Sequence, residues 1–215
     1  MKDIIEGYAS VAVASVADAV DKICGHRGYM DSTIKPRIND RRVVGPAATV
    51  REEATDEFVP PQHALDLIDE APAGSVIVIS IGSGEPDVAV WGGLMTAGAV
   101  ANQHAGAVLD GGVRDIPEIR RDYDFPVYAR SVSPGTTLGR YKTIAAQVPV
   151  EVGGVVVNPG DIIVADIDGV VVVPKDKAAE VLAMSVEIDL REAEQAKLII
   201  AEKSLRAGLA RYGRI

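Results

Sequence analysis

An α/β fold is predicted for this chain by three observations. Segments with apolar residues at helical spacing alternate with short apolar runs bounded by Gly, Pro and Asp; the second half is rich in β-branched strand formers; and no linker-like stretch divides the 215 residues. With 47% hydrophobic side chains and 21 glycines the chain can bury one sizeable core, so a single domain spanning residues 1–215 is expected.

The elements are expected in this order. Ile5 to Ile23 carries apolar residues at helical spacing, with Ser15 and Asp18 on its polar side and Gly25 as its stop. Val43 to Val50 reads as a strand, Pro60-Pro61 starts a helix running to about Glu70, and Ser75 to Ile81 reads as a buried strand. Gly82 to Pro86 is a loop; its two glycines lack the residues that complete a phosphate-binding fingerprint. Trp91, the only tryptophan, is expected to pack at the edge as a bulky anchor. Leu94 to His104 reads as a helix, Ala105 to Leu109 as a buried strand broken by Asp110-Gly111-Gly112, and Ile116 to Arg121 as a short helix. Pro126–Val132, Thr143–Val150, Val152–Val157, Ile162–Asp166 and Val170–Val173 read as strands, with turns at Asn158 to Asp161 and Asp168-Gly169. A long amphipathic helix follows from Ala178 to about Arg206, more than one small domain needs, so part of it is expected to pack on another subunit.

Residues 91–121 carry the chemistry. Gly92-Gly93 precede a helix, whose N-terminus offers free N–H groups and a positive dipole end to a carboxylate or phosphate. Arg114 and Asp115 fall in the loop after a strand, at the end of an α/β sheet where ligands usually bind. A guanidinium can grip a carboxylate or polarise a carbonyl, and a neighbouring carboxylate can carry a divalent metal. The residues alone leave a second alternative open, in which Asp115 caps the helix beginning at Ile116 and Arg114 makes a surface ion pair.

Other features narrow the function. A net charge of −9 and a pI near 4.8 argue against a nucleic-acid backbone as partner. No run approaches a membrane span and no signal core opens the chain, so a cytoplasmic location is expected, with no membrane partner. Cys24 stands alone, which excludes an intrachain disulfide and suits a small core residue. His26, His63 and His104 lack zinc-ligand spacing, and there is no Gly-x-Ser-x-Gly elbow.

The segment from Gly92-Gly93-Leu94-Met95 through Gly106 to Asp115 and Glu118 resembles the signature of the RraA-like family. The likeness extends through Ser15 to Ala19, Val44 to Val50, Asn158 to Asp161 and Asp166 to Pro174. That family contains class II 4-hydroxy-4-methyl-2-oxoglutarate/4-carboxy-4-hydroxy-2-oxoadipate aldolases and the ribonuclease inhibitor RraA. The resemblance implies a layered β/β/α sandwich, swivelling-domain-like, with a C-terminal helix of about 176–207 at a subunit interface in a homotrimer or hexamer. It implies that the backbone of Gly92, Gly93, Leu94 and Met95 holds a pyruvate-type carboxylate, that Arg114 contacts the substrate and that Asp115 binds Mg²⁺ or Mn²⁺. The aldolases commonly carry an acid where this chain has Gly93, which puts the metal's supporting groups and the substrate choice in question. Glu192 or Glu194 is the expected acidic contribution to a neighbouring site.

The function implied is a metal-dependent lyase that cleaves a small anionic 4-hydroxy-2-oxo acid to pyruvate and a second oxo acid, with oxaloacetate decarboxylation as a side activity. The alternative is a noncatalytic RraA-type regulator that binds a ribonuclease. The walls selecting the substrate are expected from Val59 to His63 and Gly135 to Arg140.

Overall fold

The computed structural model describes residues 2–213. Its helices are α1 (Lys2–Tyr8), α2 (Val13–Cys24), α3 (Gln62–Glu70), α4 (Gly93–Ala101), α5 (Ile116–Asp122), α6 (Ala178–Glu202) and α7 (Leu205–Tyr212). Its strands are β1 (Lys35–Pro36), β2 (Val43–Ala54), β3 (Val76–Ser80), β4 (Ala89–Trp91), β5 (Gly106–Val113), β6 (Val127–Val132), β7 (Tyr141–Ala146), β8 (Val150–Val152), β9 (Val155–Val157), β10 (Ile162–Asp166) and β11 (Gly169–Val173).

One mixed sheet runs β1-β6-β5-β3-β2-β10-β11, with β4 added to β5 and β7 to β2. The β2, β3, β5 and β6 pairings are parallel, and those of β1, β7, β10 and β11 are antiparallel. A bridge from Tyr29 to Val171 draws the two ends of the sheet together, so the sheet is nearly closed. Val76, Val78, Val108, Ile163 and Val172 fill its inner face, which the β8–β9 hairpin covers with Val150, Val152, Val155 and Val157. Ile77, Ile79, Leu109 and Val127 point the other way into a core closed by α3 and α5 through Leu67, Ile68 and Ile119. A third core joins α1, α2 and α6 to β10 and β11 through Val16, Val20, Val164, Val171 and Val181. This is the layered α/β sandwich that the sequence predicts, with the long C-terminal helix in place.

Besides β2 running on past Val50 to Ala54 and α4 stopping at Ala101 rather than His104, five boundaries differ from the sequence reading. The helix expected over residues 5–23 is two helices, because the Arg42 guanidinium takes the carbonyls of Tyr8 and Val11 and Asp189 on α6 accepts the Ala12 N–H at 2.9 Å. Thr143 to Val150 is not one strand; β7 stops at Ala146, and Gln147 turns with φ 54°. Val152 to Val157 is the hairpin β8–β9, turning at Gly153 and Gly154 with φ 56° and 74°, the two positive values a tight primed turn requires. The long C-terminal helix ends at Glu202, Lys203 adopts φ 50°, and α7 folds back with Ser204 Oγ accepting the Ala207 N–H at 3.2 Å.

The fifth correction bears on the site. Asp110-Gly111-Gly112 does not break β5; the strand continues to Val113 with a bulge, as its register against β6 passes from Leu109↔Ala129 to Gly112↔Ser131. Glycine suits the bulge because the Val88 carbonyl oxygen lies 3.2 and 3.0 Å from where a Cβ on Gly111 and Gly112 would stand, closer than Cβ atoms usually approach. The bulge sets the direction in which the chain leaves β5, and Arg114 follows at once.

Candidate active site

The site is built at the carboxyl ends of the parallel strands β4 and β5. The Arg114 N–H donates to the Trp91 carbonyl at 3.0 Å, which locks the ends of the two strands together. Trp91 is buried, stacks on Phe125 with ring centroids 6.2 Å apart, and donates its indole N–H to Thr96 Oγ1 at 2.8 Å. Thr96 Oγ1 in turn donates to the Gly92 carbonyl at 3.0 Å. The tryptophan is thus the anchor expected of it, and it fixes the first turn of α4. Thr96 was not singled out by sequence; its signal is its place one helical turn after a Gly-Gly pair and five residues after the only tryptophan.

Asp115 occupies the N-cap position of α5, yet its side chain makes no capping hydrogen bond to that helix. Its backbone is left-handed, φ 59° and ψ 31°, a conformation that Asp tolerates better than most residues and that concentrates at functional positions. From there the carboxylate reaches across to α4, where Oδ2 accepts the Gly93 N–H at 2.9 Å, and Arg114 Nε stands 3.6 Å away. The simple helix cap is therefore not what the structure shows. Asp115 instead satisfies the open N-terminus of α4.

Gly92 is required by this approach, since a Cβ on it would fall 2.7 Å from Asp115 Oδ2 and 3.1 Å from Arg114 Nε. At Gly93 the same atom would stand 3.6 Å from Asp115 Oδ2, an ordinary contact. A Cβ at position 93 is therefore sterically admissible.

A cavity of about 380 Å³, within the usual range for small-molecule sites, opens onto these groups. Gly92, Gly93, Leu94, Met95, Arg114 and Asp115 all line it, together with Pro60, Pro61 and Leu65 from the start of α3 and Thr136 to Leu138. The two segments expected as walls supply those walls, although His63 is not among the lining residues; its Nδ1 lies 3.1 Å from Thr143 Oγ1. Leu65 was missed because an apolar residue on a helix reads as core from sequence. Glu118 sits exposed in the first turn of α5 and does not line the cavity. Nor do Glu192 and Glu194 in this chain, where Glu194 pairs with Lys197.

A larger cavity of about 810 Å³ lies between α2 and the β10–β11 turn. Its Arg27 is already committed, pairing with Asp31 at 2.7 Å and lying over the Tyr29 ring at 4.7 Å. The smaller cavity, at the strand ends and with an open carboxylate, is the stronger candidate by chemistry.

Among the described residues no helix is long and apolar enough to cross a membrane. None of them form a group of three or more His, Cys, Asp or Glu that could enclose a metal.

A glycine-led helix and an Arg-Asp pair converging on one cavity at the carboxyl ends of parallel strands define an α/β protein with a site for a small anion. The chain belongs to the RraA-like family, whose model, described as Aldolase/RraA, matches residues 13–172. It is 36% identical over 208 residues to Protein DlpA of Legionella pneumophila, an alignment covering 95% of this chain but 32% of that longer protein. A relative from Halalkalibacterium halodurans with the provisional name 4-hydroxy-4-methyl-2-oxoglutarate aldolase is 35% identical over 183 residues, 84% of this chain and 80% of its own. The crystal structure of a protein from Pseudomonas syringae pv. tomato superposes with a TM-score of 0.87 at 32% identity, over 99% of this chain and 95% of the other.

Proposed function

We propose that the protein is a divalent-metal-dependent lyase that cleaves a 4-hydroxy-2-oxo acid to pyruvate and a second carbonyl compound. The observation that carries this reading is Asp115 held in a left-handed turn, its carboxylate on the N-terminus of α4 and its neighbour Arg114 beside it, at the mouth of one cavity. The aldolase name of the Halalkalibacterium halodurans relative supports it.

The donor set fits Mg²⁺ or Mn²⁺. Such hard cations take one or two carboxylates and fill their remaining positions with water and substrate oxygens, and the Asp115 side chain is 42% exposed toward the cavity. Asp115 would hold the ion, which when bound supplies Lewis-acid stabilisation of the oxyanion that develops as the carbon–carbon bond breaks. Arg114 supplies the protein's own positive charge to the substrate carboxylate and the adjacent 2-oxo oxygen. The amides of Leu94 and Met95, in the first helical turn where no intrahelical acceptor exists, offer donors to the same carboxylate. Gly93 N–H is already engaged by Asp115, so its role is to orient the aspartate. The apolar wall of Pro60, Pro61 and Leu65 limits water around the developing enolate.

The same groups suit oxaloacetate, whose decarboxylation yields the same enolate, and side activity on it is part of the proposal. So is assembly into a homotrimer or hexamer that covers the outer faces of α6 and α7, where Leu190, Ile200 and Leu205 stand exposed.

Pyruvate release, coupled to lactate dehydrogenase, tests the reading: 4-hydroxy-2-oxo acids and oxaloacetate are supplied with Mg²⁺ or Mn²⁺ and then with EDTA, for the wild type and Asp115→Ala. Metal-dependent turnover that the variant lacks is the expected outcome. A folded, metal-supplied protein with no turnover on any of them would turn the assignment toward a noncatalytic regulator.

A further inference from the structure

Asp115 is aimed by a single peptide unit. Its Oδ2 accepts the Gly93 N–H at 2.9 Å, and the carbonyl at the other end of that same planar peptide belongs to Gly92. A Cβ at Gly92 would crowd Asp115 Oδ2 at 2.7 Å, and a peptide with glycine on both sides meets little steric resistance to turning. Gly92 also stands at the N-cap position of α4, with no side chain to cap the helix. The unit that aims the aspartate is therefore the one most free to swing, unless its carbonyl end is held.

Thr96 holds it. The Gly92 carbonyl accepts both the Thr96 N–H and the Thr96 hydroxyl, each at 3.0 Å. A threonine that bonds back four residues is common in helices. Here the same Oγ1 also accepts the Trp91 indole N–H at 2.8 Å, and since an indole can only donate, the hydroxyl proton is directed to Gly92. The donors thus run one way, from indole to hydroxyl to carbonyl and through the peptide to the carboxylate. Hydrogen bonds in such a series polarise one another, which strengthens the Gly93 N–H as a donor. Trp91 is itself fixed in β4 and by its stacking on Phe125, so the series is tied to the core of the sheet. Thr96 is 0% and Trp91 1% exposed, out of reach of a neighbouring subunit.

We infer that Thr96 is a positioning residue of the site, its hydroxyl fixing the Gly92–Gly93 peptide and through it the direction of the Asp115 carboxylate. The effect on Asp115 stands on this geometry; the effect on a bound ion rests on the lyase reading above. Without the hydroxyl the peptide turns, the Gly93 N–H leaves Oδ2, and the carboxylate is free to swing toward Arg114 Nε, now 3.6 Å away. A divalent ion then has to order its own ligand, and its affinity falls.

The test is the NMR resonance of the Gly93 amide proton in the full-length protein, with Asp115→Ala marking its position when the acceptor is gone. A loss of overall stability does not move a resonance of the folded state. Thr96→Val is expected to carry the resonance most of the way to the Asp115→Ala position, and Thr96→Ser, which keeps the hydroxyl, to leave it near wild type. Mg²⁺ affinity, by calorimetry, is expected to fall about tenfold in Thr96→Val and to stay within about twofold of wild type in Thr96→Ser. Should Thr96→Val not fold, Thr96→Ala, which leaves room for a water to take the indole proton, is read by the same two measurements. A Gly93 resonance that the loss of the hydroxyl does not move, or that is already the same in wild type and Asp115→Ala, overturns the inference. An equal displacement in Thr96→Ser overturns it as well, because the hydroxyl would then count for nothing. If the resonance moves while Mg²⁺ binds the wild type and the variant equally tightly, Thr96 orders the helix without serving the site and the inference falls. A wild type that binds no Mg²⁺ overturns the lyase reading, and the Gly93 resonance alone then decides the inference.

Discussion

Two carboxylates in this protein, Asp115 and Glu52, occupy opposite environments. Asp115 is half exposed at the end of β5, accepts a backbone N–H and stands beside a guanidinium. Glu52 lies within β2 opposite Thr143 of β7, is 1% exposed, and neither of its oxygens has a hydrogen-bond partner. Burial pushes the Glu52 carboxyl from 4.5 up to about 8, so at neutral pH it is held as the uncharged acid. Perturbation alone would nominate Glu52 as the functional acid. Geometry nominates Asp115, because only that carboxylate opens onto a cavity with a cation and free amides around it. A shifted pKa marks an environment, and only access to a ligand makes it chemistry.

The sharpest way to break this contrast is Asp115→Ala. Turnover should fall by about a thousandfold, the loss typical of a group that stabilises developing charge, while the unfolding midpoint stays close to wild type. An Asp115→Ala protein that still released pyruvate at the wild-type rate would remove Asp115 from the mechanism.

Glu52→Gln should do the reverse, leaving turnover unchanged and altering stability. The sign follows from the raised pKa. Below about 4.5 both folded and unfolded chains hold the proton. Between 4.5 and about 8 only the folded chain does, so stability falls as pH rises through that window and levels off above it. Denaturant unfolding at pH 5 and pH 9 should show the wild type losing a few kcal/mol that Glu52→Gln retains. Identical pH profiles for the two proteins would show that Glu52 ionises as easily folded as unfolded.

Gly92→Ala tests the geometry around Asp115 without touching its charge. The added methyl collides with Asp115 Oδ2 and must displace the Arg-Asp pair, for an expected loss of about tenfold in kcat/KM with the fold intact. The smallest effect is expected from Gly93→Asp, which fits at 3.6 Å and adds a second carboxylate beside the first. Mg²⁺ affinity, read by calorimetry, should rise several-fold to about tenfold, and no change would mean that position 93 does not face the ion.

Much of the site was legible because it is local in sequence. A Gly-Gly pair before a helix and an Arg-Asp pair after an apolar strand are separated by one helix and one strand, so elementary periodicity places them at the same end of neighbouring elements. The walls at Pro60-Pro61 and Thr136 to Leu138 lie far from that stretch in sequence and are brought to it by the fold. What misled was glycine. Asp110-Gly111-Gly112 reads as a break, but the close approach of the Val88 carbonyl makes those glycines part of a bulged strand. Glu52 gave no signal at all, since a charged residue at the end of an apolar run reads as solvent-facing until β7 and α3 pack against β2.

The sequence by itself determined the element types, the family and the pairing of Arg114 with Asp115, because hydrophobic period and turn chemistry act over a few residues. Tertiary structure decided the rest. Where α1 parts from α2 depends on Arg42 and Asp189, which lie far along the chain from that break. The direction in which Asp115 points is likewise set by the open amide of a helix twenty-two residues earlier, not by the helix it begins. Hydrogen-bond demand at an element's end is local, but the group that satisfies it is chosen by packing in three dimensions.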